Sequence, residues 1–180
     1  MLILKEDKIL EKKELWFVAR TIGCVELRMR EYLKKIPVDC FVPTEKKIAL
    51  RKGEMTEVET PIVHNLIFFK TNYTLANYIF SLNSRRMHRI FDEKGLLFVP
   101  EKQMDLFISF VNEYYGKVKI LDSNYVVGDK MMIKKGPFAG LIGKVVRIDN
   151  KSYFTVSLER LLVAAVKLPK SNLMKVEDTV

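Results

Sequence analysis

Cysteine and histidine are nearly missing from this chain: Cys24, Cys40, His64 and His88 are the full complement in 180 residues. Two cysteines cannot build a disulfide framework or a four-cysteine zinc site. A Cys2His2 set exists by count, but no CxxC or HxxxH unit occurs, so the spacing gives a metal no support. Both cysteines fit as small apolar side chains. No GxSxG, HExxH or P-loop pattern is present, and the carboxylates fall singly along amphipathic faces. A positioned nucleophile, acid–base pair or metal is what an enzyme needs, so no catalytic residue and no cofactor is assigned. No apolar run is long enough to cross a bilayer. Residues 1–14 interleave Lys5, Lys8, Lys12 and Lys13 with Glu6, Asp7, Glu11 and Glu14, which is not the pattern of a signal peptide. A cytoplasmic monomer is the expectation.

Acid is also in deficit, with 22 Asp and Glu against 31 Lys and Arg, for a net charge of +9. Residues 1–110 carry 19 basic and 15 acidic groups, and residues 111–180 carry 12 and 7, so the shorter segment holds the larger surplus. A basic balance favours encounter with polyanions through phosphate neutralisation, and equally serves solubility. The hydrophobic fraction of 48% suits an ordinary globular fold, in one domain or two small ones.

Hydrophobic periodicity orders the chain. Leu15 to Ala19 reads as a strand, and residues 24–36 as a helix with Val25, Met29, Tyr32, Leu33 and Ile36 on one face, stopped by Pro37. Arg28, Arg30, Lys34 and Lys35 fall mostly on its other, solvated side. Residues 39–43 and 46–50 are strands, the second folding back through Arg51-Lys52-Gly53-Glu54 as a hairpin onto residues 55–58. Leu66-Ile67-Phe68-Phe69 is apolar without alternation, the mark of a strand buried on both faces. Residues 74–82 form a second helix, with Leu75, Tyr78, Ile79 and Leu82 facing inward. A short strand at 96–99 precedes a helix opened by Pro100, with Met104, Phe107, Ile108 and Val111 inward. The order predicts an α+β sandwich. Residues 116–126 look like a linker, and the remainder is all-β, with no internal repeat.

Two short strand-like runs, Met131 to Ile133 and Lys144 to Ile148, flank a turn holding Gly136, Pro137, Gly140 and Gly143. Glycine supplies positive φ there and Pro137 pre-sets a tight turn. This arrangement resembles the KOW motif, an SH3-like barrel module of transcription elongation and ribosomal proteins. Val145-Val146-Arg147-Ile148, the Asp149-Asn150 turn, residues 153–158 and Leu161 to Val166 are similar to the KOW domain of the NusG family. Leu158-Glu159-Arg160-Leu161-Leu162 and Leu168-Pro169-Lys170-Ser171-Asn172-Leu173 resemble its specialised UpxY-type branch, antiterminators associated with capsular-polysaccharide operons. The first half resembles that family's NGN domain: Trp16-Phe17-Val18 the opening aromatic strand, Phe41-Val42-Pro43 the strand ending in Phe-x-Pro, and Val99 to Met104 the start of the last helix. Residues 61–69 align with the segment written Pro-Leu-Phe-Pro-Gly-Tyr-Val-Phe-Val. Here His64-Asn65-Leu66 replaces Pro-Gly-Tyr, so the housekeeping factor's contacts do not transfer residue for residue.

The resemblance implies a 1–14 tail, an NGN domain at 15–115 (an antiparallel sheet flanked by helices), a linker at 116–126 and a small all-β KOW barrel at 127–180. It implies a transcription antitermination or elongation factor that grips the clamp helices of RNA polymerase's largest subunit and carries transcription through a long operon. Carried over by position, the polymerase surface uses Trp16, Arg20, Val63, His64, Leu66 and Phe68. Trp16 and Phe68 also fit core positions, whereas Val63, His64 and Leu66 sit where exposure is expected. Arg85, Arg86, His88 and Arg89 form a basic run facing upstream non-template DNA or nascent RNA in that picture, or a solvated loop. Strand alternation puts Lys130, Met132 and Lys134 on one KOW face; with Lys135 and a loop-tip Phe138, they present a surface for RNA or a ribosomal subunit protein. The competing reading is an RNA-binding or ribosome-associated KOW protein with an RRM-like sandwich. An RRM needs exposed strand aromatics, so an exposed Phe69 would favour it.

Overall fold

A computed structural model describes residues 13–93, 95–121, 128–148 and 150–176. The chain divides into two compact units, residues 1–108 and 109–180. Of the expected 1–14 tail only residues 13 and 14 are described; of the expected 116–126 linker, residues 122–126 lie outside the described residues, whereas 119–121 form a strand rather than a linker.

The first unit runs β1 (Leu15–Thr21), α1 (Glu26–Leu33), β2 (Asp39–Phe41), β3 (Thr44–Arg51), β4 (Glu54–Pro61), β5 (Leu66–Thr71), α2 (Tyr73–Leu82), β6 (Met87–Arg89), β7 (Phe91–Asp92), β8 (Gly95–Leu96), β9 (Phe98–Val99) and the start of α3 (Glu101–Glu113). Its main sheet has the antiparallel order β2-β5-β1-β6, with β9 also pairing with β1. Both sheet faces are covered. Phe17, Ala19, Ile67 and Phe69 meet Met29 and Leu33 of α1 and Ala76, Ile79 and Phe80 of α2. On the other face Phe107 of α3 packs its ring 5.9 Å from Phe68 and 6.1 Å from Phe41. A strand enclosed from both sides gains nothing from alternation, and that is why Leu66 to Phe69 is apolar throughout.

Helix α2 departs from its expected orientation. Asn72 caps it, accepting a hydrogen bond from the Leu75 N–H at 2.9 Å. Its buried side is Ala76, Ile79 and Phe80, whereas Tyr78 and Leu82, expected to point inward, are 60% and 58% exposed. The helix contains no charged residue, so apolar side chains occupy opposite sides and periodicity alone does not choose between them. Phe80 decides it, packing edge-on against Phe69 at 5.5 Å.

The β3–β4 hairpin forms a separate two-stranded sheet, with Thr44 opposite Pro61 and Arg51 opposite Glu54. Lys52 and Gly53 take positive φ at its turn, a conformation that costs glycine nothing. A polar clamp fixes its base: Arg30 of α1 donates two hydrogen bonds to the Glu59 carboxylate, at 2.6 and 2.8 Å, and Thr44 donates a third at 2.9 Å.

The second unit contains the rest of α3, then β10 (Lys119–Leu121), β11 (Asp129–Ile133), β12 (Ile142–Ile148), β13 (Lys151–Leu158), β14 (Leu162–Val166), a 3-10 turn (Lys170–Asn172) and β15 (Leu173–Lys175). The six strands form one antiparallel sheet in the order β10-β14-β13-β12-β11-β15. The glycine-rich turn behaves as expected: Gly136 and Gly140 have φ of 95° and 87°. Gly143 serves a different purpose, because a Cβ there would sit 2.4 Å from the Thr155 carbonyl oxygen and 2.5 Å from the Phe154 ring.

Candidate functional site

Three loops converge at one end of the first unit's sheet. The Thr21 N–H donates to the Asn65 carbonyl at 3.0 Å, joining the end of β1 to the turn before β5. The Ile22 N–H donates to the Arg86 carbonyl at 3.1 Å, bringing in the turn before β6. The buried Glu26 carboxylate, at the start of α1, accepts the Asn65 N–H. Asn65 adopts φ 63°, which asparagine tolerates better than most residues and which aims its N–H at that carboxylate. Glu26 thus organises the site from below. Sequence reading assigned it nothing; the signal available was an acid near the start of a helix together with an Asn at the family's glycine position.

Facing solvent at this end are Arg20, Ile22, Cys24, His64, Arg85, Arg86 and His88. Arg20 lies directly across from His88 on β6 and from Leu66 on β5. Residues expected at two separate places, the polymerase surface and the basic run, therefore share one edge. No Asp or Glu occurs between Glu59 and Asp92, and Glu26 is covered, so this end is cationic.

Burial corrects much of the expected apolar hollow. Trp16, Val63, Leu66 and Phe68 are all buried, leaving only Arg20 and His64 of the six exposed. Phe68 lies beneath Phe107, and Trp16 sits between Lys70 and Val99 in the sheet. Val63 and Leu66, expected at the surface, are not available to a partner. Arg89 is likewise committed: its guanidinium lies 5.1 Å above the Phe80 ring and donates to the Asn77 carbonyl at 3.3 Å. Phe69 is fully buried, so it offers no platform for a base.

On α1 and just past its end, Arg28 and Lys35 are exposed, whereas Arg30 and Lys34 are ion-paired through Glu59 and Glu31. In the second unit Lys130, Lys134 and Lys135 are exposed and Met132 is half-buried. Phe138 is half-buried rather than free at a loop tip, its ring packing 5.6 Å from Phe110 and 5.8 Å from Tyr114. Cys24 is exposed, and burial pushes the half-buried Cys40 thiol up, away from thiolate reactivity. Among the described residues no group of three His, Cys, Asp or Glu is placed to hold a metal, and no helix is long and apolar enough to cross a membrane.

A sheet covered by helices, followed by a six-stranded barrel with a glycine turn, defines a two-domain factor of the NGN and KOW class. Residues 14–108 match the family described as "Transcription termination factor nusG", and residues 127–159 match the KOW motif. The chain belongs to the NusG family. Among solved structures it is similar to one described as "Domain interaction in Thermotoga maritima NusG", with TM-score 0.53 and 19% identity over 92% of this chain and 98% of that one. At that identity the likeness concerns the fold. No curated protein matches the chain. NusG-family proteins are transcription factors that bind RNA polymerase and are not enzymes.

Proposed function

We propose that this protein is a specialised, cytoplasmic NusG-type elongation and antitermination factor of the UpxY branch. Its first unit attaches to the clamp helices of RNA polymerase's largest subunit and favours processive transcription of a long operon for polysaccharide biosynthesis. The mechanism is differential binding: stabilising the closed, elongating state of polymerase suppresses pausing without any reaction catalysed by the protein. The convergence of Arg20, His64, Arg85, Arg86 and His88 on one edge, over a buried Glu26, carries this reading. Arg20 and His64 supply rim contacts to polymerase, with Trp16, Val63, Leu66 and Phe68 as a buried floor that fixes their position. Arg85, Arg86 and His88 neutralise phosphates of the displaced non-template strand or nascent RNA. The operon class rests on the resemblance at residues 158–162. The face bearing Lys130, Met132, Lys134 and Lys135 offers the KOW domain a surface for RNA or a ribosomal subunit protein.

Titration of the full chain against core RNA polymerase tests the reading. A complex is expected, weakened about tenfold by Arg20→Glu with His64→Ala. Arg85→Ala with Arg86→Ala should weaken attachment to an elongation complex more than to core enzyme, with a shallower salt dependence. Retention on RNA with no polymerase complex overturns the proposal.

A further inference from the structure

Burying a carboxyl is costly where burying an apolar side chain is not, and Glu26 is 1% exposed in the first turn of α1. Its hydrogen-bond partner is the Asn65 N–H, and among the described residues no cation is ion-paired with it. The start of a helix favours negative charge, which offsets part of the cost of burial. What the acid supplies, and a leucine of similar size would not, is an acceptor aimed at one backbone N–H.

That N–H belongs to the residue held at φ 63° in the turn before β5. Left-handed backbone is unfavourable even for asparagine, so the turn keeps this shape only while its neighbours hold it. Both sides of Asn65 are held. Its N–H goes to Glu26, and its carbonyl accepts the Thr21 N–H at 3.0 Å. The next N–H along, that of Ile22, donates to the Arg86 carbonyl at 3.1 Å. Glu26, Asn65, Thr21 and Ile22 therefore tie α1 to all three converging loops in one relay. Arg20 and His64 each adjoin a member of it, Arg20 next to Thr21 and His64 next to Asn65. The Thr21 hydroxyl adds no second tie, because it is buried without a hydrogen-bond partner among the described residues. Backbone fastened at these points keeps the adjoining side chains at a set spacing, so a partner loses less binding energy in ordering them.

We infer that Glu26 is a positioning residue for polymerase recognition: by holding the Asn65 N–H it sets the spacing of Arg20 and His64 that the partner reads. This assignment rests on the proposed attachment to polymerase. Titration of the full chain against core RNA polymerase tests it, with folding checked by Trp16 fluorescence and circular dichroism. Glu26→Met, which fills a similar space without an acceptor, should weaken binding about tenfold. Glu26→Gln, whose amide oxygen accepts the same N–H, should lose no more than about threefold. In an Arg20→Ala, His64→Ala background, Glu26→Met should cost less than about twofold, because the side chains it positions are gone. A merely structural role would cost the same in both backgrounds. Asn65→Val leaves Glu26 in place and disfavours the left-handed turn, so it should reproduce the loss even if Glu26→Met does not fold. Equal losses in the two backgrounds, equal losses for Gln and Met, or wild-type affinity of Asn65→Val overturn the positioning role, while wild-type binding still upholds the proposed function. Failure of the wild-type chain to bind polymerase overturns the proposed function and this assignment together.

Discussion

Neutralising one carboxylate, Glu59→Gln, isolates what holds the hairpin at its angle to α1. Arg30 donates to both Glu59 oxygens at 2.6 and 2.8 Å, a paired geometry that favours the ionised acid. Hydrogen bonds from Arg30, with a smaller contribution from Thr44, hold the Glu59 carboxyl at about 2 against an ordinary value of 4.5, and push the Arg30 guanidinium up. Read by linkage, a depression of that size is worth at most about 3 kcal/mol. The Glu59 side chain keeps 40% of its surface in water, so screening reduces the contribution to about 1 kcal/mol. Because the folded carboxyl titrates below the unfolded one, this stability is fully present above about pH 5 and is withdrawn as pH falls towards 2. Trp16 is the sole tryptophan and lies buried in β1, so its fluorescence reports the first unit during urea unfolding. The variant should be less stable than wild type by about 1 kcal/mol at pH 7, with the gap closing below pH 3. Amide exchange across residues 44–61 should also quicken at neutral pH. A gap that stays constant from pH 7 to pH 2.5 refutes the charge-based account of the clamp.

Two further outcomes follow from packing. Tyr78→Ser with Leu82→Ser should shift stability by no more than about 0.5 kcal/mol per site, whereas Ile79→Ala should cost about 2–5 kcal/mol. Urea unfolding followed by Trp16 separates these cases, and equal losses would mean that α2 is turned the other way. Gly143→Ala forces a methyl to within 2.4 Å of the Thr155 carbonyl oxygen and 2.5 Å of the Phe154 ring. The barrel should lose more than about 1 kcal/mol, seen as selective broadening of second-unit amide resonances while those of the first unit stay sharp. Gly136→Ala meets no neighbour and strains only φ, so a larger loss there than at Gly143 would contradict the close-approach argument.

What the residues announced, and what they concealed, divides along the range of the interactions. Element order was legible because a strand or helix is set by neighbours a few positions away: the apolar run at 66–69, the Lys52-Gly53 turn and the glycines at 136 and 140 each act locally. Burial was less legible, because it depends on distant partners. Phe107 covers Phe68 from nearly forty residues further along, so a family position read as an open hollow is sealed. Arg89 looks free in a basic run, yet Phe80, nine residues earlier, takes its guanidinium. For α2, apolar residues on both sides made two inward faces equally readable, and a single aromatic contact chose between them. The hairpin is the instructive remainder. Its alternation places Ile48, Leu50 and Met55 together as a sequence does for a face meant to be buried, yet among the described residues all three are exposed.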